Sequence, residues 1–190
     1  MTISAPETAR LRLRQWRTED LAPFAALNSD PEVMGCFPAL LSREESDALV
    51  ERFRVLIDLN GWGFWAVEEK ASGALIGMVG LHHQPDRFSF SPCTEIGWRL
   101  AKPYWHKGFA CEAATACLAY AFEVLALDEV VSFTSIHNLP SEALMQRLGM
   151  TRQGHFLHPG LPADHRLATH VLYSLSRQRY LSGNKHHRHA

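Results

Sequence analysis

The residues best suited to chemistry lie between positions 93 and 150. A strand-like run, Cys93-Thr-Glu-Ile-Gly-Trp-Arg-Leu100, leads through Ala101-Lys-Pro-Tyr-Trp-His-Lys-Gly-Phe-Ala110 into an alanine-rich helix. The first N–H groups of a helix have no intrahelical partner and sit at the positive end of its dipole, so a glycine-containing loop at a helix start is a ready anion site. Lys107 adds a mobile positive charge, and Gly108 lets the backbone approach a bulky phosphate. A well-capped helix after a strand would show the same local spacing. The pattern G-x-x-x-x-G-K-[ST] is absent, as is the three-glycine dinucleotide fingerprint, which argues against a nucleoside triphosphate or a dinucleotide. Glu95 stands out because a carboxylate is unusual inside a strand with apolar neighbours. It reads either as a general base or as the partner of Arg99, two positions along the same face.

The histidines number 11, yet their spacing does not favour a metal site. His82 and His83 are adjacent in a predicted strand and face opposite sides, His155-x-x-His158 also diverges, and no HExxH occurs. The tail His186-His-Arg-His189 reads as solvated, able to take a metal adventitiously. The four cysteines form no CxxC pair and read as free thiols of a reducing, cytoplasmic compartment. A formal net charge of −1 leaves no cationic excess for a phosphate backbone, so nucleic acid is not the expected partner. The longest apolar run, Ala74 to Leu81, is far short of the roughly 20 residues of a membrane span, and no secretory signal opens the chain.

The elements that must position these residues follow from periodicity. Strands are expected at Arg10–Trp16, Gly63–Glu69, Ala74–His83, Cys93–Leu100, Val130–Ser135, Thr151–His158 and Thr169–Leu175. Helices are expected from Thr18 to Asn28, from Ser42 to Asn60, from Gly108 to Leu125 and from Asn138 to Gly149. This interleaving gives an α/β (α+β) domain over residues 8–180, followed by an unstructured His-rich tail at 181–190.

With these blocks in order, Trp105-His-Lys-Gly-Phe-Ala110 resembles the pyrophosphate-binding motif [RQ]-x-x-G-x-[GA] of the GNAT superfamily. Glu95-Ile-Gly-Trp-Arg-Leu100 and Pro103 to Ala113 are similar to its RimJ/RimL branch, which often reads EIGYWL…PEYWGKGYATEA. Thr8 to Arg14, Thr18-Glu-Asp20, Asn28-Ser-Asp-Pro-Glu-Val-Met34 and Asn138-Leu-Pro-Ser141 through Arg147-Leu-Gly-Met150 extend the likeness over nearly the whole chain. Trp105 takes the [RQ] position, His106 replaces a usual Gly, and Met145 stands where many members carry a proton-donating Tyr.

The resemblance implies a mixed, mostly antiparallel, strongly twisted sheet of six to seven strands flanked by helices. It would be splayed between the strand at 93–100 and the strand at 130–135. It implies an N-acetyltransferase that uses acetyl-CoA as cosubstrate, without metal, on a primary amine. Backbone groups of Trp98 and Leu100 would pair with the pantetheine arm and support an oxyanion. His106, Lys107, Gly108, Phe109 and Ala110 would hold the pyrophosphate, and Asn138 would bond the arm. Glu95 would serve as base and Ser141 would donate to the sulfur. A helix-start residue satisfying backbone donors is an equal reading of Ser141. Gly97 fits a point where another backbone approaches closely. Phe37, Pro38, Trp62, Phe64 and His82 would line the acceptor pocket, and Glu32 and Asp86 read either as carboxylates that attract a cationic amine or as solvated surface charges. The acceptor is expected to be a protein N-terminal α-amine. Its alternatives are a small amine of aminoglycoside or polyamine type, or no acceptor at all in a non-catalytic acyl-CoA-binding module.

Overall fold

The computed structural model describes the backbone of residues 4–187 and side chains as far as Gly183. The tail histidines, and the metal behaviour expected of them, lie outside the described side chains. Among the described residues, seven strands are hydrogen-bonded in the order β1-β2-β3-β4-β5-β7-β6, with five α-helices between and after them. β4 and β5 are parallel, and the pairs β1–β2, β2–β3, β5–β7 and β6–β7 are antiparallel. This is the mixed, mostly antiparallel sheet that the sequence leads one to expect. The described residues gather into two compact units.

The first unit takes the chain as far as His82 together with Gly97–Cys117. It holds β1 (Leu11–Arg14), α1 (Leu21–Asn28), α2 (Arg43–Asn60), β2 (Phe64–Glu69) and most of β3 (Leu75–Gln84). It also holds the end of β4 (Cys93–Leu100) and most of α3 (Phe109–Ala119). Helix α2 starts where Ser42 and Glu45 cap each other: the Ser42 hydroxyl accepts the Glu45 N–H, and the Glu45 carboxylate accepts the Ser42 N–H. Val50, Phe53 and Ile57 recur at helical spacing and are buried. Phe53 meets Trp16 and Phe64 with ring centroids 5.9 and 5.3 Å apart, and the Trp16 indole donates to the Phe64 carbonyl at 2.8 Å. Beside this apolar cluster Arg14 is held between Asp20 and Glu68 at 2.7 and 2.6 Å, so its charge is buried and paired. β3 and β4 approach very closely. A Cβ on Gly77 would sit 2.1 Å from the Arg99 carbonyl oxygen, a separation that excludes any side chain.

The second unit takes His83–Ile96 and the chain from Leu118 onward. It contains β5 (Glu129–Ser135), α4 (Leu139–Arg147), β6 (Thr151–Leu157), β7 (Thr169–Ser176) and α5 (Arg177–His187). The helix expected to run unbroken to Leu125 instead gives way at Tyr120 to a π turn, Tyr120–Val124, in which the Leu125 N–H reaches the Tyr120 carbonyl. The backbone continues as α5 to His187, where an unstructured tail was expected from 181. Tyr180 anchors that helix by stacking on Phe122 at 4.8 Å and donating to Glu123 at 2.7 Å. No helix among the described residues is long and apolar enough to cross a membrane.

Candidate active site

In the first unit the chain leaves β4 through a tight turn at Lys102–Tyr104 that Pro103 favours, and the Trp105 indole N–H returns to the Leu100 carbonyl at 2.9 Å. Part of the Leu100 backbone assigned to a ligand arm is thus already used within the chain. Two left-handed residues follow, His106 at φ 59 and Gly108 at φ 79, with Lys107 between them. Alternation of backbone hand is the form that gathers successive N–H groups into an anion-binding concavity, here at the head of α3. The left-handed φ explains why glycine is usual where this chain has His106. A histidine accepts that conformation more readily than most residues, at a cost of about 1–2 kcal/mol. Phe109 is buried, Ala110 is half-buried, and Ala113 and Ala114 are fully buried beneath the loop.

The loop is braced from the segment that enters β1. Arg10 Nε and Nη2 donate to Glu112 Oε2, each at 2.6 Å, while Nη1 donates to the Lys107 carbonyl at 3.0 Å. Its guanidinium also lies over the Phe109 ring at 4.3 Å. Thr8 donates to the other Glu112 oxygen at 2.6 Å. Burial pushes the Glu112 carboxyl up, but the bonds from Thr8 and Arg10 outweigh it and hold the group below the usual range. Sequence reasoning passed over both residues. The only available signal was a basic residue before a strand and an acid in the first turn of the motif helix.

Among the predicted acceptor residues of this unit, one pair meets and another packs on Arg99. Phe64 meets His82 edge to face at 5.5 Å, and Phe37 lies 4.1 Å under the Arg99 guanidinium. A Cβ on Gly97 would be 3.1 Å from the Phe64 ring, so the chain's own nearest group there is an aromatic side chain. Arg99 donates to Asn28 Oδ1 at 2.7 Å, and Glu32 is paired with Lys102.

In the second unit Glu95 is half-buried, faces Val131 in the parallel register, and accepts a long 3.4 Å bond from Gln84. One residue on, the Ile96 carbonyl accepts the Ser132 hydroxyl at 3.0 Å. Asn138 caps α4: its Oδ1 accepts the Ser141 N–H at 3.3 Å, and its Nδ2 donates to Thr134 at 3.0 Å. Both ends of the amide are therefore engaged within the chain. Ser141 lies in the first turn of α4, and Met145 is buried in the core, where it can donate no proton.

The acetyltransferase (GNAT) domain family matches residues 10–151. The chain belongs to that family. A relative in Aspergillus fumigatus, an FsC-acetyl coenzyme A-N(2)-transacetylase, is 30% identical over 97% of this chain and 83% of its own length. A GNAT-family acetyltransferase from Bacillus anthracis superposes with a TM-score of 0.76 at 24% identity, covering 91% of this chain and 98% of that one. A spermidine N-acetyltransferase from Vibrio cholerae, solved with CoA and spermine, superposes at 0.72 with 23% identity, covering 92% and 99%. The protein is accordingly an acyltransferase of the GNAT N-acetyltransferase type, and members of that family use acetyl-CoA.

Proposed function

We propose that the protein acetylates a primary amine from acetyl-CoA by direct attack within a ternary complex. The observation that carries this reading is the loop at the head of α3, where left-handed His106 and Gly108 flank Lys107 and Arg10 ties the Lys107 carbonyl. These residues fit a diphosphate: bare N–H groups, a helix dipole, a mobile cation and a glycine without a Cβ converge on one short segment. His106 to Ala110 would hold the pyrophosphate, and Trp98 and the N–H side of Leu100 would meet the pantetheine arm. With its amide used for capping, Asn138 would act by fixing the start of α4.

An alkyl amine with a pKa of about 10.4 is almost wholly protonated near neutrality, so attack needs a proton acceptor. Glu95 is that acceptor in this reading, directly or through a water, and Ser141 would steady the departing thiolate. A thiol of pKa about 8.5 leaves tolerably without a proton donor, so Met145 does not forbid turnover. The RimJ/RimL likeness supports a protein α-amine as acceptor. The near-full-length relative named for N(2) transfer to FsC supports a second reading, a small-molecule amine. Release of free CoA thiol from acetyl-CoA across peptides, amino acids, aminoglycosides and polyamines tests the proposal. Saturable CoA binding with no thiol released from any amine would make the chain a binder and not an enzyme.

A further inference from the structure

Arg99 carries a cationic charge that no role assigned so far uses. Strand alternation places it on the half-buried face of β4 that also carries Glu95 and Gly97. Its side chain is turned toward α1 and the loop that follows it, where Asn28 Oδ1 and the Phe37 ring are its partners. Both are neutral. Its Nε is buried and, among the described residues, makes no hydrogen bond. Of the two carboxylates in that loop, Glu32 is taken by Lys102 and Asp30 accepts the Glu32 N–H, so neither pairs with Arg99. A guanidinium presents five donors in a planar fork suited to a carboxylate, and a desolvated one with only neutral partners is electrostatically incomplete. Burial lowers its pKa to about 10, which leaves it charged at neutral pH.

We infer that Arg99 recognises an anionic group on the acceptor, so that the substrate is a small amine bearing its own carboxylate and not a polyamine. Phe37 stacks against the guanidinium and Asn28 holds Nη1, which leaves the other donors of the fork to be met by the anion. The same charge repels a polycation and thereby discriminates against it. This inference rests on the acetyltransferase reading above and narrows its acceptor.

The test is steady-state thiol release with matched acceptors: an amino acid or dipeptide with a free carboxylate, its C-terminal amide, and spermidine. The wild-type protein should prefer the free carboxylate over the amide by roughly 10- to 100-fold in kcat/KM, mostly through KM, with spermidine poorest. R99M should shrink that preference to within about threefold, and R99K should retain its direction at reduced size. Melting curves and CoA titrations run alongside would expose a variant that misfolds, in which case the wild-type ratios and R99K decide. Thiol release indifferent to the carboxylate, or a preference unchanged in R99M, overturns the inference and leaves the acetyltransferase reading standing. Absence of thiol release from every amine overturns both.

Discussion

Arg10 and Glu112 stand 102 residues apart in the chain and meet through two contacts of 2.6 Å, beside which Arg10 also grips the Lys107 carbonyl. The segment that enters the first strand thereby holds the turn on which the anion site depends. Exposed ion pairs contribute little to stability, and Arg10 is half-exposed. The consequence belongs to loop geometry. R10M and E112Q should weaken CoA binding about three- to tenfold while moving the melting temperature only slightly. Calorimetry on both variants reads this out. Unchanged affinity would make the brace a bystander.

His106 holds a left-handed backbone without being glycine. Replacing it by glycine removes a cost of about 1–2 kcal/mol but adds unfolded-state entropy worth about half to one kcal/mol. H106G should therefore equal the wild type in denaturant or exceed it by up to about 1.5 kcal/mol. A clear loss of stability would mean that the imidazole makes contacts worth more than the strain.

Acid sensitivity is expected from the aromatic cluster of the second unit. His158 packs against Phe88 and His170, with ring centroids 5.6 and 4.9 Å away. Burial pushes its pKa down to about 4, with the charges of His170 and Arg87 adding to the effect. His170 is lowered as well, again by burial. The His158 Nδ1 accepts the Gly160 N–H at 3.0 Å, which requires the neutral ring. The unfolded chain binds these protons first, near pH 6.5, so this contribution is complete above that value and is lost as pH falls toward 4. Melting temperature measured from pH 7.5 to 4 should decline through that window, and H158Q should flatten the decline. An equal slope in both proteins would contradict it.

For Glu95 the expected signature is kinetic. E95Q removes the proton acceptor while keeping the shape and the Gln84 contact, so kcat should fall about 100-fold with CoA affinity unchanged. Lower affinity with an intact rate would make Glu95 structural.

Much of this was readable in the chain because it is local. The Ser42–Glu45 cap, the buried apolar stripe of α2 and the strand–loop–helix at 93–119 follow from neighbours a few residues apart. What escaped depends on distant partners or backbone angles. Arg99 was matched to Glu95 by strand spacing, yet its contacts are Asn28 and Phe37, brought to it by the turn after α1. Asn138 was assigned to a ligand, and the fold uses it as a helix cap bonded to Thr134. The π turn at Tyr120 leaves no trace in periodicity, because one extra residue per turn preserves the apolar composition. Helix α5 was hidden by its polar sequence and is held through Tyr180 and through Arg179, which donates to the Gly149 carbonyl.

The account turns on whether the segment from His106 to Ala110 holds a diphosphate. Calorimetric titration of CoA into the wild-type protein and into G108V measures this directly. At Gly108 a β-branched residue would be strained at φ 79, and its Cβ would lie 3.4 Å from Arg10 Nη2. Saturable one-to-one binding in the micromolar range, weakened at least tenfold in G108V while the melting curve remains cooperative, is the predicted result. No heat of binding at millimolar CoA, or equal affinity in the two proteins, would contradict it.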